Sequence, residues 1–146
     1  MKPVHVVTSF LLRRDAGKEK VLLLRRSDRV GSFPRRWAGV SGYIEEAPPL
    51  GQAMTEIREE TGLIESDVVL LNQGRSVRTP DPGSDCIWVV HPFLYLVVWP
   101  DRVRLDWEHT ESRWIKPSSL DRFDTVPNLR SALEKVYPPP VFPGVL

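Results

Sequence analysis

The stretch Gly42-Tyr-Ile-Glu45-Glu46-Ala-Pro48-Pro49-Leu50-Gly-Gln-Ala53-Met54-Thr-Glu56-Ile57-Arg-Glu59-Glu60-Thr-Gly62-Leu63 organises this chain. From Leu50, apolar residues recur at Leu50, Ala53, Met54 and Ile57, the spacing of an amphipathic helix. Pro48 and Pro49 suit its entrance, where a missing N–H costs little, and Gly62 suits the left-handed residue that ends it. At about 100° per residue, Glu56, Glu59 and Glu60 fall within an arc of roughly 100° that avoids the apolar stripe. Each like-charged pair on such a face costs about 0.2–0.5 kcal/mol, and a bound divalent cation reverses the sign of that cost. Carboxylate oxygens are what Mg²⁺ and Mn²⁺ prefer. Most arbitrary E-x-x-E-E segments are simply solvated, so the flanking sequence has to decide.

The 146 residues predict one domain (1–137) followed by a proline-rich tail (138–146). Apolar and charged contents of 41% and 27% are those of an ordinary soluble protein. A net charge of +1 gives no support to a nucleic-acid coat or a polybasic membrane anchor. The single cysteine, Cys86, excludes an intrachain disulfide and a multi-cysteine zinc site, and is expected to be a small buried hydrophobe. No apolar run approaches membrane-spanning length, and the N-terminus lacks the long apolar core of a leader, so the expected compartment is the cytoplasm.

Val4–Leu12 and the continuous run Val21–Leu24 predict two paired strands joined by a glycine-bearing turn. Arg25, Arg26, Arg29, Arg35 and Arg36 follow in a loop and predict a basic rim able to fork onto phosphates, with Arg25 and Arg36 its leading candidates. Trp37–Ser41 reads as a short strand, and Trp37 as core or a substrate contact. Strands are expected over 68–71, 73–78 and 87–99, with an edge, bulge or break at Pro92. Trp88 could stack on a base. Leu129–Val136 predicts a closing amphipathic helix capped by Asn128. Strands around a central acidic helix, with a second helix at the end, make an α+β fold built as a sandwich on a mixed sheet.

The segment Glu56-Ile57-Arg58-Glu59-Glu60-Thr61-Gly62-Leu63, preceded by the loop Ser41–Glu45, resembles the Nudix box, whose helix reads R-E-U-x-E-E-x-G-U with U aliphatic. That resemblance implies an α/β/α sandwich and a hydrolase acting on nucleoside diphosphates linked to another moiety. It also implies that Glu56, Glu59, Glu60 and the Gly42 carbonyl hold Mg²⁺ or Mn²⁺. Asp106–Ile115 likewise resembles an acidic loop and Trp-containing strand that recur in the family, which makes Glu108 and Glu111 candidates for the general base beside Glu59 and Glu60. Two departures stand out. The loop is one residue short if Gly42 is the box glycine, and the Glu–Arg pair that braces it is replaced by Ala47 or Pro48 and by Thr55. The expected partner is a small diphosphate or nucleotide, with no nucleic acid and no membrane, and a homodimer is the default assembly on general grounds. A catalytically weak nucleotide-binding module is the alternative reading.

Overall fold

In this computed structural model, which describes residues 1–45 and 47–141, the apolar runs of the first two strands decide the layering. β1 (Lys2–Asp15) and β2 (Lys18–Arg26) pair antiparallel with Leu12 opposite Val21. Successive side chains of a strand point to opposite faces. Val7, Leu11, Leu22 and Leu24 therefore enter one buried cluster, while Phe10, Leu12, Val21 and Leu23 enter another. Because both faces of the sheet are covered, these runs show no polar alternation.

Helix α1 (Pro49–Thr61) lays Ala53 and Ile57 on the first cluster. Helix α2 (Leu129–Glu134) lays Leu129, Ala132 and Leu133 on the second. The result is an α/β/α sandwich. Burial of a side chain such as Ile57, which is fully enclosed, contributes about 1.5–3 kcal/mol.

The other strands are β3 (Trp37–Ala38), β4 (Val40–Tyr43), β5 (Val68–Gln73), β6 (Val77–Asp81), β7 (Cys86–Val97) and β8 (His109–Ile115). Among the described residues they complete one mixed sheet of order β3-β2-β1-β7-β5, with β4 joined to β1, β6 to β7 and β8 to β2. β1 and β7 run parallel, and the other pairings are antiparallel. One edge of β1 is shared, with β4 pairing along residues 6–9 and β2 along 12–15. That division brings the chain from β4 directly into α1.

Several expectations change in detail. β7 is continuous and interior, so Pro92 lies neither at an edge nor at a break of its own strand. Its carbonyl accepts from Gly74 N–H at 3.1 Å, on the side where the neighbouring ladder is interrupted between β5 and β6. The N–H that proline lacks would point to that same side, so the gap falls in the partner. The buried stripe of α1 is also rotated from the predicted one. Leu50 is 45% exposed, whereas Gln52 and Glu60 are buried with Ala53 and Ile57. Asn128 precedes α2 in the left-handed region, but its amide donates to Thr79 Oγ1 at 2.7 Å and caps nothing. Cys86 is buried, as its apolar surroundings suggested. No described helix is long and apolar enough to cross a membrane. Of the tail, Val141 is 86% exposed, and 142–146 lie outside the described residues.

Candidate active site

Gly42 pairs with Val7 of β1, one residue before the β4–β1 ladder ends at Tyr43 and the chain turns toward α1. A Cβ placed on Gly42 would overlap the Glu56 carboxyl, so only glycine lets this backbone lie against that side chain. Glu56 is held from the other side by Gln52, whose amide donates to Oε2 at 2.9 Å. Gln52 sits one turn before Glu56 on the same helix face, so this contact lies within α1 and does not tie the loop to it. Thr55, at the box's arginine position, donates to the Gly51 carbonyl at 3.1 Å.

Glu60 is the buried member of the set, with its side chain 1% exposed. Burial, reinforced by Glu56, Glu108 and Asp106, pushes its carboxyl up to about 10. Its Oε2 has no hydrogen-bond partner among the described residues. Glu56 is also raised, chiefly by burial, and so is Glu108, again chiefly by burial and then by Asp106. A group of carboxyls that raise one another is a site where positive charge is missing.

Glu56, Glu59 and Glu108 face a cleft of about 700 Å³. Its walls include Arg26, Arg29 and an aromatic group centred on Trp88. Phe33 lies edge-on to Trp88 at 6.4 Å between ring centres, and Tyr43 lies tilted at 6.2 Å. The Trp88 indole N–H donates to Asp81 Oδ2 at 3.0 Å, which fixes the ring's orientation. Such a wall suits a flat aromatic ligand.

Glu60, being buried, does not line the cleft, and four other predicted site residues stand away from it. Arg25 donates to the Arg35 carbonyl at 3.2 Å and pairs with Glu111 at 3.5 Å, the residue opposite it in the β2–β8 ladder. Glu111 is thereby committed to a surface ion pair. Trp37 is 9% exposed and packs against Phe123 at 5.4 Å, within the second core cluster. Arg36 lies over the Phe33 ring at 5.8 Å, behind the aromatic wall, and reaches the Thr125 carbonyl at 3.4 Å. In place of Arg25 and Arg36, the cleft takes Arg26 and Arg29. Arg26 is one step along β2 from Arg25, and one step in a strand reverses the face. Its guanidinium is oriented by the Ser32 carbonyl at 3.0 Å.

The sequence reading passed over His109. Its side chain is 1% exposed at the start of β8, with Nδ1 3.2 Å from Asp106 Oδ1 and Nε2 3.4 Å from Glu60 Oε1. Burial holds its pKa below the usual histidine value, with Asp106 acting in the opposite direction. A single histidine among acidic residues has no periodic signal. The Asp-x-x-His spacing just before a strand was the available hint.

The site fits a divalent cation on its own terms. The donors are hard oxygens, the Gly42 backbone lies against Glu56, and a buried carboxylate oxygen is orphaned. Among the described residues, no three acidic or imidazole side chains already enclose a single point. Glu56 is held by Gln52, and Glu59 lies on the exposed side of α1.

The NUDIX domain family matches residues 3–137. By sequence alone, no curated protein matches significantly. An Ap4A hydrolase binary complex from C. elegans superposes with a TM-score of 0.75 at 21% identity, over 90% of this chain and 93% of that one. The MutT protein from Methanosarcina mazei Go1 gives 0.74 at 22% identity, over 91% of each chain. The NUDIX domain of Shewanella oneidensis NrtR, complexed with ADP ribose, gives 0.71 at 16% identity, over 93% and 87%. At these identities the likeness is one of fold.

Proposed function

The chain belongs to the NUDIX domain family, and from that premise we propose that it is a divalent-metal-dependent hydrolase. Its substrate is a nucleoside diphosphate linked to another moiety, cleaved at a phosphoanhydride bond. The observation that carries this reading is the meeting, in one cleft, of Glu56, Glu59 and Glu108 with Arg26, Arg29 and the Trp88 wall. Carboxylates alone would suit many cations. Carboxylates with arginines and an aromatic wall suit a nucleotide whose phosphates approach a metal.

Glu56, Glu59 and Glu60, with the Gly42 carbonyl, would hold Mg²⁺ or Mn²⁺. When bound, the cation neutralises charge on the bridging and leaving phosphate oxygens and lowers the pKa of attacking water. Arg26 and Arg29 hold the phosphates that do not react. The Trp88, Phe33 and Tyr43 wall takes the base and excludes water from one side of the cleft. Glu108, which lines the same cleft and whose pKa burial raises, would accept the water's proton. Two of the similar structures carry nucleotide names, Ap4A and ADP ribose, which supports the same substrate class.

The test is product release from ADP-ribose, nucleotide sugars, dinucleoside polyphosphates and nucleoside triphosphates, with Mg²⁺, with Mn²⁺ and with chelator. Metal-dependent turnover of at least one is expected. Tight binding of a panel member without turnover under either metal would instead favour the nucleotide-binding module, for which the shortened loop speaks.

A further inference from the structure

Three buried side-chain atoms lack a hydrogen-bond partner among the described residues, and two of them, Glu60 Oε2 and His109 Nε2, belong to neighbouring side chains. Orphaned polar atoms in a dry interior are costly, and their occurrence side by side calls for an explanation. Packing does not supply one, since an apolar residue would fill the same volume without the penalty. His109 is also anchored from behind. Asp106 Oδ1 lies 3.2 Å from Nδ1 and accepts from the Glu108 backbone N–H at 3.2 Å, so the ring is tied to the loop that carries Glu108. Its other nitrogen stands 3.4 Å from Glu60 Oε1.

We propose that His109, fixed by Asp106, is the positioning residue that sets the orientation of the Glu60 carboxylate for the cation. This inference rests on the metal-binding reading of Glu60 given above. At 3.4 Å the ring nitrogen and the carboxylate oxygen lie within ion-pair distance of each other without making a hydrogen bond. The ring then bounds the buried Glu60 carboxylate on one side, and so limits the rotamers open to it. Glu60 and Glu108 are also linked, through His109 and Asp106, into one chain of contacts running from α1 to the loop before β8. Outer partners of metal ligands commonly change metal affinity by about 10–100-fold when removed.

Two polar substitutions separate the atoms of the ring. His109→Gln keeps a polar group near the Nε2 position facing Glu60. His109→Asn keeps only the one near Nδ1, facing Asp106. Mn²⁺ affinity is measured by calorimetry on wild type and both variants, with thermal unfolding of the metal-free proteins recorded alongside. The expected result is that Gln retains wild-type affinity to within about threefold, whereas Asn loses about tenfold or more. The metal-free unfolding temperatures of the two variants should remain close to each other, since each fills the site with an amide. Wild-type affinity in His109→Asn would overturn the proposal, as would equal losses in both variants. Absence of Mn²⁺ binding by the wild type would overturn the metal reading itself, and this inference with it.

Discussion

Gly42 and Glu56 show how closely the site is fitted at the scale of single residues. A methyl group at residue 42 would occupy the place of the Glu56 carboxyl, and both neighbours are constrained, one by the β4–β1 ladder and one by Gln52. Gly42→Ala should therefore lower kcat/KM about 100-fold while leaving the circular dichroism spectrum unchanged. Wild-type turnover in that variant would contradict the geometry. Glu60 offers a test of charge. Its carboxyl rises from 4.5 to about 10 on folding, so the folded protein binds a proton that the unfolded chain releases. Metal-free stability must then fall as pH rises through that window, by up to about 1.4 kcal/mol per unit. Glu60→Gln has no such proton to bind. In chelator, urea unfolding from pH 5 to pH 9 should show the variant gaining on the wild type with each unit, and parallel profiles would contradict the burial argument. Much of this was legible in the sequence. The spacing of Glu56, Glu59 and Glu60, and a glycine before their helix, were visible as a pattern. The displacement of Arg25, Arg36, Trp37 and Glu111 from the cleft was not, because it depends on strand faces and on which partner each side chain meets.

At the scale of elements, α1 is the best-specified part of the chain. Its proline entrance and its glycine exit both stand where the sequence placed them, and Gly62 has φ of 75° with its N–H bonded to the Arg58 carbonyl. An added Cβ would meet Arg104 Cβ at 3.8 Å, an ordinary contact, so the cost of Gly62→Ala is backbone strain alone. It should be about 1–2 kcal/mol, read from the urea midpoint. An unchanged midpoint would show that the helix ends in some other way. The rotation of the buried stripe toward Glu60 was not legible, because an acidic residue is ordinarily assigned to solvent. Glu60's neighbour His109, 3.4 Å away, comes from β8, and no periodicity of α1 announces it. Pro92 taught a similar lesson. The missing donor was visible, but the interruption it requires belongs to the neighbouring strands.

Across the whole molecule, two buried faces follow from the apolar-rich β1 and the unbroken run Val21–Leu24 of β2, both visible in the sequence. Strand order cannot be seen in this way, since the parallel pairing of β1 with β7 joins residues more than eighty positions apart. The architecture brings an acidic helix, an arginine-bearing loop and an aromatic strand to one cleft, and the function proposed for it depends on a cation that those carboxylates share. The most direct measurement is the rate of product release from the best panel substrate, with Mg²⁺ and with chelator, in wild type and in Glu60→Gln. The account predicts turnover that chelator abolishes and that Glu60→Gln lowers by about 100-fold or more. Full metal-dependent turnover in Glu60→Gln, or turnover indifferent to chelator, would contradict it.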